Sequence, residues 1–336
     1  MPLRSREIRL AARPQGLPEP GDFELAEVEL HDPADGELLV RNTFVSVDPY
    51  MRGRMNDVRS YVPPFAIGEP MTGGAVGQVV ASRAEGIEEG TWVVHDLGWR
   101  EAAVLPAARA RAFDPGAAPL STSLGVLGMP GLTAFVGIDD IGQVKEGDTV
   151  LVSGAAGAVG SLAGQLARRR GARVIGSAGS AVKTAWLGEL GFDATFDYHE
   201  TPPRKALRSL APDGIDVYFD NVGGETLEAA IGALNRHGRI VACGSIAGYN
   251  ATTPQPGPRN LFMVVTKRLR MQGFIVFDHF DRWPAFHGEV APLVADGSIG
   301  YRETIVDGIE RAPEAFLALF SGDNLGKMLV RVGSES

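Results

Sequence analysis

Apolar residues fall into two regimes along this chain. Over residues 1–125 they come in short runs broken by Gly and Pro, as in GELLVRNTFVSVDP, GGAVGQVVAS and GTWVVHDLG. Runs of that length between turn residues predict strands, so this region reads as mostly β. From about 130 to 290 the period changes. TVLVSG reads as a buried strand, AVGSLAGQLARRRG as a helix with a Gly stop, and ARVIGSA as a second strand. SAVKTAWLGELG is a helix opened by Ser and closed by Gly. DATFDY is a strand, PRKALRSLAP a short helix, GIDVYFDNVGG a strand and turn, and ETLEAAIGALNRHG a helix. GRIVACGS then makes a fifth strand, RNLFMVVTKR a helix and LRMQGFIVF a sixth strand. Beyond about 300, YRETIVDG and GKMLVRV are strand-like, with the helix APEAFLALFSG between them.

Strands alternating with helices mean βαβ units and a parallel sheet. The expected fold is α/β: a doubly wound Rossmann domain over 126–299 with a six-stranded parallel sheet, and a mostly-β domain over 1–125 completed by 300–336. A length of 336 residues agrees with two domains.

Composition then narrows the classes. Hydrophobic residues make up 44% and charged residues 22%, which is ordinary globular usage. The net charge of -9 disfavours a nucleic-acid or anionic-membrane binder. No apolar run reaches the length of a membrane span, and MPLRSREIRL lacks the pattern of a secretory signal. A single cysteine, Cys243, rules out an internal disulfide and suits a reducing cytoplasm, the expected location.

The first chemical candidate is the loop in TVLVSGAAGAVGS. Registered from Gly160, it reads A-x-G-x-x-G, with Ala155 in the first position and Gly157 in the second. Gly157 lets the backbone approach a pyrophosphate, and Gly160 allows close helix–strand packing. The following helix offers free N–H groups and its positive dipole end. An NAD site usually has an acid at the end of the second strand, about 20 residues on. Here that strand ends VIGSAGS, with Gly176 and Ser177, and Lys183 follows on the next helix. The missing carboxylate and the nearby cation point to NADP(H).

A catalytic zinc needs about three Cys, His or carboxylate ligands. The six histidines, at 31, 95, 199, 237, 279 and 287, form no metal-spaced pair. One cysteine cannot build a four-cysteine structural site. No metal is expected, and His95 and His237 read as surface or satisfied polar residues.

Together SGAAGAVGSLAGQLA, GSAGSAVK, GFDATFDY, DVYFDNVGGETL, ACGSIAGYN, QGFIV, NLGKMLV and the N-terminal SVDPYMRGRM resemble the medium-chain dehydrogenase/reductase superfamily. The subgroup they resemble is the zinc-free group of leukotriene B4 12-hydroxydehydrogenase, prostaglandin reductase and curcumin reductase. The resemblance covers nearly the whole chain. It implies a GroES-like first domain, a homodimer, and NADPH-dependent reduction of the carbon–carbon double bond of α,β-unsaturated ketones and aldehydes. It also implies cofactor contacts at Gly157, Ala158, Val159, Gly160, Lys183, Tyr198, Asn221, Cys243, Gly244, Ser245, Ile246, Tyr249, Phe274, Ile275, Val276 and Asn324. One departure is His199, where relatives often carry Lys.

Hydride transfer to an activated alkene needs no Lewis acid. The β-carbon takes the hydride and negative charge moves to the carbonyl oxygen, which must receive a hydrogen bond. Tyr249, just after the fifth strand, is the expected catalytic donor. Tyr50 in DPYM and Trp99 are expected in the substrate pocket. Cys243 has no activating base beside it in sequence and reads as a packing residue rather than a nucleophile. Two other functions remain open at this level: a quinone oxidoreductase of the same superfamily, and a non-catalytic NADPH-binding sensor.

Overall fold

The computed structural model describes residues 3–116 and 118–334. The chain divides into two units. One comprises the residues up to Leu124 and those from Glu303 onward; the other is Gly125–Arg302.

The first unit is mostly β. Strand Glu37–Ser46 lies at its centre and pairs antiparallel with Ala75–Ser82, Ala102–Pro106 and Lys327–Arg331. The tail thus supplies an inner strand of this sheet, and Glu303–Asp307 pairs parallel beside it. Leu3–Leu10 and Phe23–Leu30 form a separate antiparallel ribbon. The main core gathers Ile8, Leu10, Val45, Met51, Met55, Trp99, Phe316 and Val330 from both ends of the chain.

The second unit carries the parallel sheet. We number its strands β1 (Thr149–Val152), β2 (Arg173–Ala178), β3 (Ala194–Asp197), β4 (Ile215–Asp220), β5 (Leu234–Ala242) and β6 (Arg270–Gly273). The spatial order is β3-β2-β1-β4-β5-β6, with parallel pairing at every step. This is the doubly wound dinucleotide order, whose direction reverses between β1 and β4. Helix α1 (Ala158–Arg169) buries Leu162, Ala163, Leu166 and Ala167, the period-3.6 face that its sequence shows. Helix α2 (Ala181–Glu189) opens on Ser180, whose side chain accepts the Lys183 N–H at 3.3 Å. Inner-strand residues Tyr218 and Phe219 are fully buried, each worth about 2–3 kcal/mol of apolar transfer.

The structure departs from the sequence reading in three places. LNRHG, expected to end a helix, instead begins β5, and the helix stops at Ala233. Leu234 pairs with Ile215, and the ladder resumes at Arg239 opposite Val217 after an irregularity. His237, with φ +64°, sits within that irregularity. Pairing with β4 outweighs local helix propensity. The sixth strand keeps only Arg270–Gly273, and the helix before it only Met263–Lys267. The helix Trp283–Ala295, absent from the reading, buries Phe286, Val290 and Val294.

Candidate active site

The backbone packs closely in the loop after β1. A Cβ on Gly160 would stand 2.5 Å from the Gly154 carbonyl oxygen and 2.8 Å from the Ala155 Cα. Only glycine allows α1 to start there. Gly157 is the N-cap of α1. The residue that turns the loop is Gly154, with φ +56°, one position before the Ala155 counted as the first motif position. This explains why Ala155 is tolerated: the left-handed residue lies before it. Gly157, Ala158 and Val159 are half-buried at the loop mouth, and Gly160 is buried.

At the reversal point, the ends of β1 and β4 are tied by a buried polar network that the sequence reading missed. The Asp220 carboxylate Oδ1 accepts the Tyr218 hydroxyl at 2.7 Å, the Gly223 N–H at 2.8 Å and the Val222 N–H at 2.9 Å. Tyr218 also lies 3.0 Å from the Ser153 Oγ. Asn221 donates its backbone N–H to the Ser153 Oγ at 3.0 Å and its side-chain amide to the Ser153 carbonyl at 2.7 Å. Burial raises the Asp220 pKa, while the donors around the carboxylate pull it down. The one sequence signal for this network was the polar cluster at the end of YFDNVGG.

The same aspartate fixes the loop after β5. Its backbone carbonyl accepts the N–H groups of Cys243 at 3.0 Å and Gly244 at 2.9 Å, and Asn221 O accepts that of Ile246 at 3.3 Å. Asn221, Cys243, Gly244, Ser245, Ile246 and Tyr249 are therefore brought together at the carboxyl ends of β4 and β5. Tyr249 follows the 3₁₀ turn Ile246–Gly248. Its Oη accepts the Ser245 N–H at 3.4 Å and lies 3.4 Å from where a Gly244 Cβ would stand. Burial raises the Tyr249 pKa, so the phenol stays protonated. Burial, then the Asp220 charge, push the Cys243 thiol up to about 12, which is the reverse of nucleophile activation.

A second cluster lies at the ends of β2 and β3. Gly176 and Ser177, expected at the end of β2, are inside it, because the strand runs to Ala178. A Cβ on Gly176 would press on Phe192 at 2.8 Å. The residues that leave the strand end are Gly179 and Ser180, which also carry no acid. Tyr198 donates its backbone N–H to the Ala178 carbonyl at 3.1 Å. Its hydroxyl would stand 2.6 Å from a Cβ on Gly179. Lys183 is half-buried in the first turn of α2. After β6, Phe274 points toward Gly137 and Val276 is buried, with Ile275 between them.

Three expected residues belong to the first unit. Tyr50 is half-buried against its core, and burial and Asp48 raise its phenol pKa. Asn324 donates its amide to the Gly326 carbonyl at 2.9 Å. Trp99 corrects the reading: it is a core residue with 0% exposure, not a pocket wall. Its indole N–H donates to the Ser46 carbonyl at 3.2 Å. The ring stacks on Phe23 at 6.1 Å and meets Phe316 edge-on at 5.9 Å. The polar neighbours in DLGWR hid this, because its partners come from distant parts of the chain.

Among the described residues, no group of three or more His, Cys, Asp or Glu is assembled as metal ligands would be. Among the same residues, no helix is long and apolar enough to cross a membrane.

Comparisons with known proteins follow the same outline. Residues 6–112 match a family model described as the N-terminal domain of oxidoreductase, and residues 158–291 one described as zinc-binding dehydrogenase. The chain is 42% identical over 338 residues to the NADPH-dependent curcumin reductase of Escherichia coli, covering 99% of this chain and 98% of that one. It is 40% identical over 338 residues to the NADP(+)-dependent 2-alkenal reductase of Nicotiana tabacum, covering 98% of each. The crystal structure of CurA in complex with NADPH from Vibrio vulnificus superposes with a TM-score of 0.93 at 43% identity, over 98% of this chain and 99% of that one.

Proposed function

Because this chain belongs to the zinc-independent curcumin, prostaglandin and alkenal reductase group of the medium-chain dehydrogenase/reductase superfamily, and is an NADP-dependent oxidoreductase, we propose that it reduces the carbon–carbon double bond of α,β-unsaturated ketones and aldehydes. The second unit fits the cofactor. Gly160 permits the tight loop, the end of β2 carries no acid, and Gly179 leaves room for the Tyr198 and His199 ring tips that a Cβ there would meet. In this reading Gly157, Ala158, Val159 and Gly160 hold the pyrophosphate, and Lys183 and Tyr198 the 2′-phosphate end. Asn221, Cys243, Gly244, Ser245, Ile246 and Tyr249 face the nicotinamide side, with Phe274, Ile275 and Val276 as further contacts. When bound, the cofactor supplies the hydride.

The observation that carries the reading is Tyr249. Its Oη accepts the Ser245 N–H, which orients the ring, and its raised pKa keeps the phenolic proton in place. A neutral phenol can donate to a carbonyl oxygen as negative charge gathers there. Asp220 holds the loop on which Tyr249 rides and so acts as a positioning residue. Cys243, held as a thiol, takes no part as a nucleophile.

The test is the Tyr249→Phe variant with NADPH and 2-nonenal or an enone. Turnover falls roughly 100-fold, about 3 kcal/mol, while the NADPH Kd stays within about twofold. An unchanged kcat at saturating enone removes Tyr249 from the reaction. No NADPH oxidation with any enal or enone defeats the reading as a whole.

We further propose a homodimer. Strand β6 is an edge strand exposed at every residue, the kind of edge that a second chain covers. A monomeric mass by light scattering at micromolar concentration counts against it.

A further inference from the structure

The turn after β3 lies beside the end of β2. Asp197 stands opposite Ala178 in the β2–β3 register. The next residues, Tyr198 and His199, are therefore laid beside Gly179 and Ser180. The Ala178 carbonyl accepts the Tyr198 N–H at 3.1 Å, and the Asp197 Oδ1 accepts the His199 N–H at 2.9 Å. This turn holds the two rings together, 4.5 Å apart between centroids. Both ring tips converge on Gly179: a Cβ there would stand 2.6 Å from the Tyr198 Oη and 3.2 Å from the His199 Nε2. His199 is exposed, so its ring is open to a ligand.

We infer that His199 is a specificity-determining residue for the cofactor, donating its Nε2–H to the 2′-phosphate monoester that distinguishes NADP(H) from NAD(H). A phosphate at the end of β2 needs donors from more than one side. Lys183 sits in the first turn of α2, and His199 adds a donor from the end of β3. The charged ring donates from both nitrogens, and the neutral ring donates from Nε2 as the Nε2–H tautomer, which a phosphate acceptor favours. The nearby carboxylate of Asp197 is turned to the backbone N–H of His199 and leaves the ring tip to the ligand. The inference rests on NADP(H) as cofactor and not on the identity of the double-bond substrate.

The test is fluorescence titration of the purified protein with NADPH, with NADH and with 2′,5′-ADP as competitor, in the absence of any enone. His199→Ala weakens NADPH and 2′,5′-ADP about fivefold to tenfold and leaves NADH within about twofold. His199→Lys retains NADPH binding within about twofold of the parent, because an ammonium replaces the lost donor. Unchanged NADPH affinity in His199→Ala overturns the assignment. Equal weakening of NADPH and NADH also overturns it, since that result places the ring against the shared adenosine and not the phosphate. Because the readout is binding alone, a failure here is separate from any failure of enone reduction.

Discussion

The Lys327 ammonium lies 3.2 Å from a carboxylate oxygen of Asp48, and both side chains are buried in the first unit. The same Nζ donates to the carbonyls of Val47 at 2.8 Å and Met328 at 2.6 Å. The other Asp48 oxygen accepts the Ser46 hydroxyl at 2.5 Å. The cluster ties the last strand to the segment Val47–Asp48 that leads into Tyr50. Lys327→Met therefore strands a buried carboxylate and costs about 3–5 kcal/mol. Adding Asp48→Leu recovers most of that loss. Urea denaturation of the two variants checks it; a single variant as stable as the parent shows the pair to be dispensable.

Lys183 separates the two cofactors. If Lys183 pairs with the 2′-phosphate as proposed, Lys183→Ala raises the Kd for NADPH by roughly tenfold or more and leaves NADH nearly unchanged, because only NADPH carries that phosphate. Titration with both nucleotides decides it, and equal weakening of both counts against that role.

Glycine positions divide sharply by what surrounds them. An added Cβ at Gly160 meets backbone at 2.5 Å, whereas at Gly188, exposed in α2, it meets nothing within 4 Å. Gly160→Ala displaces the loop, weakening NADPH at least about tenfold and costing about 1–3 kcal/mol. Gly188→Ala stabilises by about 0.5–1 kcal/mol with binding intact. Paired melting curves and titrations read both effects.

His95 makes the first unit acid-sensitive. The Leu97 N–H donates to its Nδ1 at 3.1 Å, so the proton sits on Nε2 and is donated to the Asn42 Oδ1 at 2.8 Å. Burial holds the imidazole neutral and lowers its pKa from about 6.5 to about 4. The unfolded chain therefore binds the proton more readily. Stability is full above about pH 6.5 and falls as the pH drops toward 4, by about 3 kcal/mol in all. Unfolding free energies at pH 7 and 4.5 measure the loss, and His95→Gln flattens that part of the profile. A profile unchanged by the substitution assigns the acid sensitivity elsewhere.

Much of the second unit was legible because its rules are local. Alternating periods gave β1 to β4 and their helices, and Ser180 and Gly171 marked real helix boundaries. The reading failed where partners lie far apart in the chain. It took LNRHG for helix, since nothing local announces the pairing of Leu234 with Ile215. The left-handed φ at Gly154, beside Ala155 in the first motif position, shows only once the loop is folded.

The sequence by itself determined the βαβ order, the cofactor loop and the lack of an acid at the end of β2, because these depend on residue type at short spacing. Tertiary structure alone decided which side chains meet. Trp99 went into the core between Phe23 and Phe316, because a large ring is most stable where apolar surface from distant segments closes over it. Asp220 became the tie between the loops after β4 and β5, because a buried carboxylate must collect donors from whatever elements surround it. His199 reached Gly179 only through the β2–β3 register, which no stretch of sequence displays.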